Sequence, residues 1–315
     1  MTILCLHPFN SQDKEKILKG LQEYYTIIFT DNFEDERLTS LAPQADVFLG
    51  MRIPEKVLDH SSSKLKLIQS PSAGVEKLPL SLLKEKGIML CNSHSNSYYV
   101  AEYAISLLLT LAKGISLQKQ LSQPLPSGTL RGKVVGILGY GRIGRQISEF
   151  LHPFGCRQVI FRRENLKEKN QEISFTHDLK EVLSQADYII VTLPLTLSTN
   201  GLMGEKEFAL MKKSASIVNV GRGKVINQEA LYLALKNKTI QAAAIDVWYD
   251  DFLRSANSIQ FSGRFPFEKL DNIILSPYKA AVVEGAPHLD DVITNLRLFA
   301  TKGKVINAVD LEQGY

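Results

Sequence analysis

The sequence predicts an α/β protein built from two parallel-sheet domains. Three observations carry that reading. Short apolar runs alternate with helix-length segments along both halves of the chain, which favours parallel strands covered by helices. One apolar run leads directly into the glycine turn Gly139-Tyr140-Gly141-Arg142-Ile143-Gly144, and an amphipathic segment follows it. The length, 315 residues, suits about two domains.

In the first hundred residues, the segments 2–6, 25–30, 46–49, 65–69 and 88–91 are short and rich in Ile, Leu, Val and Phe, and are predicted as strands. Between the first two, a helix is predicted from Ser11, as N-cap, to Gly20, as stop; another covers 78–86 and ends at Gly87. Ligands of such sheets bind beyond the carboxyl ends of the strands. The loops there are His7-Pro8-Phe9, Gly50-Met51-Arg52 and Ser70-Pro71-Ser72-Ala73-Gly74-Val75. Small residues at Ser72, Ala73 and Gly74 leave consecutive backbone N–H groups open, a natural nest for a carboxylate. The same three residues also read as an ordinary turn, and Arg52 as a solvated charge.

Asn92-Ser93-His94-Ser95-Asn96-Ser97 is polar and aperiodic, and the helix predicted over 98–112 is almost wholly apolar. A helix apolar on most faces is expected to be covered on most faces, at a domain junction or a subunit interface. The chain is broken again by a Pro-containing loop at 123–128. The domains are therefore drawn as 1–97 with 284–315, and 98–283.

The second domain opens on the glycine motif. Gly139 makes the tight turn, Gly141 lets a pyrophosphate approach the backbone, and Gly144 lets helix pack on strand. Arg142 and Ile143 begin the helix, whose free N–H groups and dipole favour phosphate. Strands are then predicted at 158–162, 188–193, 216–220, 241–246 and 272–276, with helices at 178–185 and 227–236, as in a doubly wound sheet. The helix 285–301 and a tail at 305–311 return to the first domain.

A dinucleotide fold selecting NAD carries an acid about 20 residues past the glycines. Here the second strand ends Phe161-Arg162-Arg163. Guanidinium forks suit a 2′-phosphate, so NADP is expected over NAD; two exposed arginines capping a strand are the plainer alternative.

A formal charge of +4 without a basic block points away from nucleic acid and anionic membranes. The apolar run 2–6 is too short for a signal core or a span, so a cytoplasmic protein is expected. Cys5, Cys91 and Cys156 have no CxxC spacing; neither a disulfide framework nor a metal site is expected, and all three read as small buried hydrophobes.

Ordered along the whole chain are Ser72-Ala73-Gly74-Val75, Val100-Ala101-Glu102, the glycine motif, Leu193-Pro194-Leu195-Thr196, Val218-Asn219-Val220-Gly221-Arg222-Gly223, Ala244-Ile245-Asp246-Val247-Trp248 and Asn272 to Pro277. In this the chain resembles the D-isomer-specific 2-hydroxyacid dehydrogenases, which include glyoxylate/hydroxypyruvate reductases and formate dehydrogenase. The resemblance implies a Rossmann NAD(P)-binding domain and a flavodoxin-like substrate domain with a cleft between, and a homodimer through the helix starting near Tyr98. It implies that the Ser72–Gly74 amides hold a substrate carboxylate and that Arg222 bridges carboxylate and reacting oxygen. Leu193, Pro194, Val220 and Asp246 would line the cofactor. A fixed cation at an oxygen gaining charge is electrostatically sensible.

Two positions depart from the family pattern. The glutamate that tunes an acid–base histidine falls on Asp251, or on Asp250 with a shifted loop, and the histidine itself reads Tyr278. Histidine titrates at about 6.5, tyrosine at about 10, so oxidation is expected to suffer more than reduction. Lys279 would lower the tyrosine's pKa if it folded back onto it, although neighbouring side chains often point apart; His94 and His7 are alternative proton donors, His94 reading equally as a surface or hinge histidine, and His288 reads as structural. The segment 252–267 is a lid or a solvated loop. The reading reached is an NADPH-dependent reductase of a small 2-oxo acid. A catalytically idle dinucleotide-binding protein and a formate-type dehydrogenase stay open beside it.

Overall fold

The computed structural model describes residues 1–30, 37–115, 128–163, 172–249 and 264–315, and the backbone of two short strands between the last two segments. The chain divides into two compact units, Met1–Asn96 with Val283–Tyr315, and Ser97–Val282; each break lies one residue before the predicted position. Asp250 and Asp251, positions 252, 256–257 and 261–263 of the 252–267 segment and most of the 123–128 loop fall outside the described residues.

The first unit runs β1 (Thr2–Cys5), α1 (Ser11–Leu21), β2 (Thr26–Phe29), α2 (Arg37–Leu41), β3 (Val47–Leu49), α3 (Glu55–Asp59), β4 (Leu67–Gln69), α4 (Leu80–Glu85) and β5 (Met89–Cys91), and regains the C-terminal helix Asp290–Lys302. The strands form a parallel sheet in the order β2-β1-β3-β4-β5. Both faces are buried, which is why these strands read as continuous apolar runs. Leu4, Phe48, Ile68 and Leu90 pack on one face; Ile3, Cys5, Val47, Leu49 and Leu67 pack on the other, with Ile17, Leu21, Val292 and Leu296. The two five-residue helices α2 and α3 were not predicted, being too short to show a helical period.

Two helix ends differ from expectation. The N-cap of α1 is Asn10, whose side chain accepts from Asp13 N at 2.9 Å, and the helix continues through Gly20 to Leu21. A Cβ at Gly20 would lie 2.8 Å from Ile293, so this glycine permits close helix packing and does not stop the helix. The predicted helix 285–301 is instead a left-handed Ala286, a short turn at Pro287–Leu289 and the helix Asp290–Lys302.

The second unit runs α5 (Ser97–Lys113), β6 (Val134–Leu138), α6 (Arg142–Leu151), β7 (Arg157–Phe161), β8 (Ile173–Thr176), α7 (Leu179–Gln185), β9 (Tyr188–Val191), α8 (Glu205–Leu210), β10 (Ser216–Asn219), α9 (Gln228–Lys236), β11 (Ala242–Ile245), β12 (Leu253–Ser255), β13 (Ser258–Gln260) and β14 (Ile273–Leu275). Its main sheet is parallel, ordered β14-β11-β10-β9-β6-β7-β8. From β6 the chain winds outward through β7 and β8, then returns to β9 and winds the other way. The switch between β6 and β9 is where a doubly wound sheet opens a crevice. Strand β8 was missed, its four residues alternating too briefly to stand out. Asp178 and Asn227 prove to be side-chain N-caps, accepting from Lys180 N and Ala230 N at 2.9 Å each.

Helix α5 is covered on most of its faces, as its apolarity demands, and its own unit supplies that cover. Its apolar residues, Val100, Ala101, Ala104, Ile105, Leu107, Leu108, Leu111 and Ala112, are buried inside the unit against α6, β10 and β11. Tyr98, Glu102, Ser106 and Lys113 form an outward, mostly polar stripe at helical spacing. Most of its apolarity is therefore satisfied within one chain. Among the described residues, no helix is long and apolar enough to cross a membrane, and no group of three or more His, Cys, Asp or Glu could hold a metal. The three cysteines are free and buried.

Candidate active site

In the second unit, the candidate residues stand at the carboxyl ends of adjacent strands. Gly139, after β6, has φ 105°, and a Cβ there would lie 2.9 Å from Thr192 Oγ1. The Thr192 hydroxyl donates to the carbonyls of Leu138 and Gly139 at 3.2 and 3.1 Å, bracing the turn from β9. A Cβ at Gly144 would fall 2.2 Å from the Gly139 carbonyl oxygen, so α6 reaches this turn only without a side chain there. Gly141 differs from both: among the described residues, nothing beyond its chain neighbours and its own helix lies within 4 Å of its Cβ position. The N–H groups of Tyr140 and Gly141 have no hydrogen-bond partner among the described residues. An open glycine, free amides and a helix N-terminus fit a pyrophosphate. Arg142 is exposed at the start of α6, and Ile143 is half-buried.

Arg162 follows β7. Its guanidinium lies 6.0 Å from the Tyr140 ring centre and 5.8 Å from that of Phe175, while the two rings meet edge-on at 5.0 Å. The Arg145 guanidinium lies 5.5 Å from the Tyr140 ring centre. Arg163 is exposed. Sequence reasoning found the two adjacent arginines but missed Arg145 and the aromatic pair that shapes their surroundings.

Leu193 and Pro194, after β9, are half-buried, and Val220, after β10, is buried with its N–H on Val191 O at 3.2 Å. A Cβ at Gly221 would come 2.8 Å from the Leu193 carbonyl, so the two loops press together. Arg222 is half-buried on this turn, and its Nη1 donates to the Gly221 carbonyl at 2.9 Å. Asn219, fully buried, staples the turn: its Nδ2 donates to the Arg222 carbonyl at 3.1 Å, and its Oδ1 accepts from Gly221 N at 3.1 Å. Asn219 was not singled out from the sequence. An asparagine ending the strand directly before Val220-Gly221-Arg222 was the available signal.

Asp246, after β11, is 2% exposed and turned onto the loop after β14. Its carboxylate accepts from the Ser276 hydroxyl, from Lys279 N at 2.8 Å and from Ala280 N at 3.1 Å. Burial pushes its pKa up, and those three donors offset the shift only in part. Tyr278 sits in this loop at φ 53°, an outlier for a bulky residue that persists only where its surroundings hold it. Those surroundings include Trp248, whose N–H donates to the Tyr278 hydroxyl at 3.1 Å and whose carbonyl accepts from it at 3.2 Å. The expected partner acid, Asp251 or Asp250, lies outside the described residues.

In the first unit, Arg52, the Ser72–Gly74 loop and His94 follow β3, β4 and β5, neighbours in the sheet, and His7 follows β1. The N–H groups of Ala73, Gly74 and Val75 have no partner among the described residues, whereas the Ser72, Ala73 and Gly74 carbonyls are all bonded. Three open amides in a row suit a carboxylate. Arg52 is exposed, with no hydrogen-bond or ionic partner among the described residues. His94 is half-buried, and its N–H donates to Asp291 at 2.7 Å. His7 and His288 are half-buried, and burial lowers the pKa of each.

Residues 106–280 match the family model of the D-isomer specific 2-hydroxyacid dehydrogenase, NAD binding domain. D-3-phosphoglycerate dehydrogenase of Methanocaldococcus jannaschii is 31% identical over 288 residues, covering 86% of this chain and 52% of that relative. The chain thus spans about half the length of that relative. Glyoxylate reductase of Aeropyrum pernix is 29% identical over 286 residues, covering 84% of this chain and 83% of the relative. Among solved structures, the NADPH-dependent glyoxylate/hydroxypyruvate reductase of Sinorhizobium meliloti, in complex with NADP and malonate, superposes with a TM-score of 0.83. That match covers 99% of this chain and 98% of the other at 22% identity, a likeness of fold.

Proposed function

The chain belongs to the D-isomer specific 2-hydroxyacid dehydrogenase family, and from that membership we propose that it is an NADPH-dependent reductase of a small 2-oxo carboxylic acid. The observation that carries the reading is Arg222, fixed by Asn219 on the turn after β10, in the same strand array as the open Gly141. When bound, the nicotinamide supplies the hydride.

The chain's own residues do the rest. Tyr140, Gly141 and the first turn of α6 hold the pyrophosphate, with Arg142 and Ile143 at the helix start. Arg162 and Arg163, with Arg145 nearby, bind the 2′-phosphate. Leu193, Pro194 and Val220 line the cofactor, and Asp246 acts on that wall by anchoring the loop that carries Tyr278. The amides of Ala73, Gly74 and Val75 hold the substrate carboxylate, with Ser72 shaping their loop and Arg52 at its margin. Arg222 polarises the carbonyl and stabilises the charge developing on its oxygen. Because the Tyr278 hydroxyl is engaged with the Trp248 backbone, that oxygen takes its proton from water and not from Tyr278.

The chain works as a homodimer through α5, supported by Tyr98, 49% exposed and edge-on to Phe150 at 5.1 Å. Tyr98→Arg is expected to give a monomer in sedimentation. Its three free thiols suit the reducing cytoplasm. The test of the function is NADPH oxidation with glyoxylate, hydroxypyruvate and pyruvate: turnover on at least one is expected, and turnover on none refutes the reading.

A further inference from the structure

A trans peptide places each carbonyl opposite the N–H of the next residue, so whatever holds a carbonyl inward aims the following N–H outward. In the loop after β4, three successive peptides are held this way. The Ser72 carbonyl accepts from Ser93 N at 3.2 Å, the Ala73 carbonyl from Asn92 Nδ2 at 3.0 Å, and the Gly74 carbonyl from the Ser72 hydroxyl at 3.0 Å. The amides aimed outward are those of Ala73, Gly74 and Val75, the three that have no partner among the described residues. The middle one is set by a side chain from a different segment.

That side chain is itself fixed. Asn92 is 4% exposed; its N–H donates to the Asn307 carbonyl at 3.1 Å, and its carbonyl accepts from Gln69 Nε2 at 3.4 Å. Gln69, 0% exposed, also donates to the Ser70 carbonyl at 2.9 Å, and its Oε1 accepts from Asn295. Asn295, 1% exposed, accepts in turn from Ile306 N at 2.7 Å. A buried chain of amides costs folding energy if any member is unmet, and when satisfied it makes the groups at its end rigid. Here the end is the loop with the open amides.

We propose that Asn92 is a positioning residue for the substrate carboxylate, holding the Ala73 carbonyl inward so that the Gly74 amide faces the anion. This rests on the carboxylate reading of the loop given above. The ligand class is an anion with a planar carboxylate next to its reacting carbonyl; a neutral ester draws less from aligned N–H donors.

The experiment compares kcat/KM for glyoxylate with that for methyl glyoxylate in the wild type, Asn92→Asp and Asn92→Ala. Asn92→Asp keeps the volume but turns the donor into an acceptor facing a carbonyl. The acid-to-ester ratio is expected to fall about tenfold, through a raised KM for the acid, while the KM for NADPH stays unchanged. Ser72→Ala, which frees the Gly74 carbonyl at a half-buried position, is expected to lower the ratio in the same direction and serves if the Asn92 variants fail to fold. A wild-type ratio in the folded variants overturns the proposal and leaves the reductase standing. A wild type that reduces no 2-oxo acid overturns the reductase and this proposal with it.

Discussion

The hydroxyl of Tyr278 closes on the backbone of Trp248, accepting from its N–H at 3.1 Å and donating to its carbonyl at 3.2 Å. The bond spans from the loop after β14 to the segment after β11, and Asp246 ties the same two segments through Lys279 N and Ala280 N. Tyr278→Phe leaves a main-chain donor and acceptor without their partner, at a cost of about 1–3 kcal/mol. A lower Tm is therefore expected, with reductive kcat changed less than tenfold. A large fall in kcat at unchanged Tm would make the phenol the proton donor.

The glycines of the first turn separate stability from binding. Gly144→Ala drives a methyl into the Gly139 carbonyl, 2.2 Å away, and is expected to lower Tm by several degrees. Gly141→Ala meets nothing within 4 Å among the described residues beyond its chain neighbours and its own helix, so Tm should hold while the Kd for NADPH rises about tenfold or more. Thermal melts and cofactor titration of the two variants check both halves.

Arg162 lies beside Tyr140 and Phe175, at the end of the strand where an acid would favour NAD. Arg162→Ala is expected to raise the KM for NADPH about tenfold or more while moving the KM for NADH little. Equal effects on both cofactors would remove the 2′-phosphate from its role.

Asp187 accepts from Val134 N at 2.8 Å and from Lys212 Nζ at 2.9 Å, fixing the start of β6, the strand that leads into the glycine turn. Burial pushes its pKa up, but the Val134 amide and the Lys212 ammonium outweigh burial and leave it below the ordinary carboxylate value. The stability this contributes is present above the unfolded pKa, about 3.9, and is lost as pH falls through the lower folded value. Lys212 is partly exposed, so Asp187→Asn is expected to cost only about 1 kcal/mol near neutral pH. The gap to wild type should close below about pH 4. Denaturant melts at both pH values measure it.

Much of this architecture is legible from local pattern. Parallel strands buried on both faces write themselves as apolar runs, and Gly139, Gly141 and Gly144 carry their spacing in the sequence. What is not legible depends on long-range contact. Gly20 looks like a helix stop until Ile293 packs against it. The apolar α5 calls for cover on most faces, but its sequence does not say that α6, β10 and β11 supply it. In the site, Arg222 was visible as a residue type, but Asn219 and Asn92 act through carbonyls that no spacing rule reveals. Tyr278 stood out as a departure, whereas its engagement by Trp248, 30 residues away, required coordinates.

The proposed reductase depends above all on a guanidinium fixed at Arg222 acting on a 2-oxo acid. The most direct measurement is kcat for NADPH-dependent glyoxylate or hydroxypyruvate reduction by wild type and Arg222→Ala, with the Kd for NADPH measured alongside. Wild-type turnover is expected to fall about 10²–10³-fold in the variant at nearly unchanged Kd. Tight NADPH binding by the wild type without turnover on any 2-oxo acid, or equal kcat in the two proteins, would contradict it.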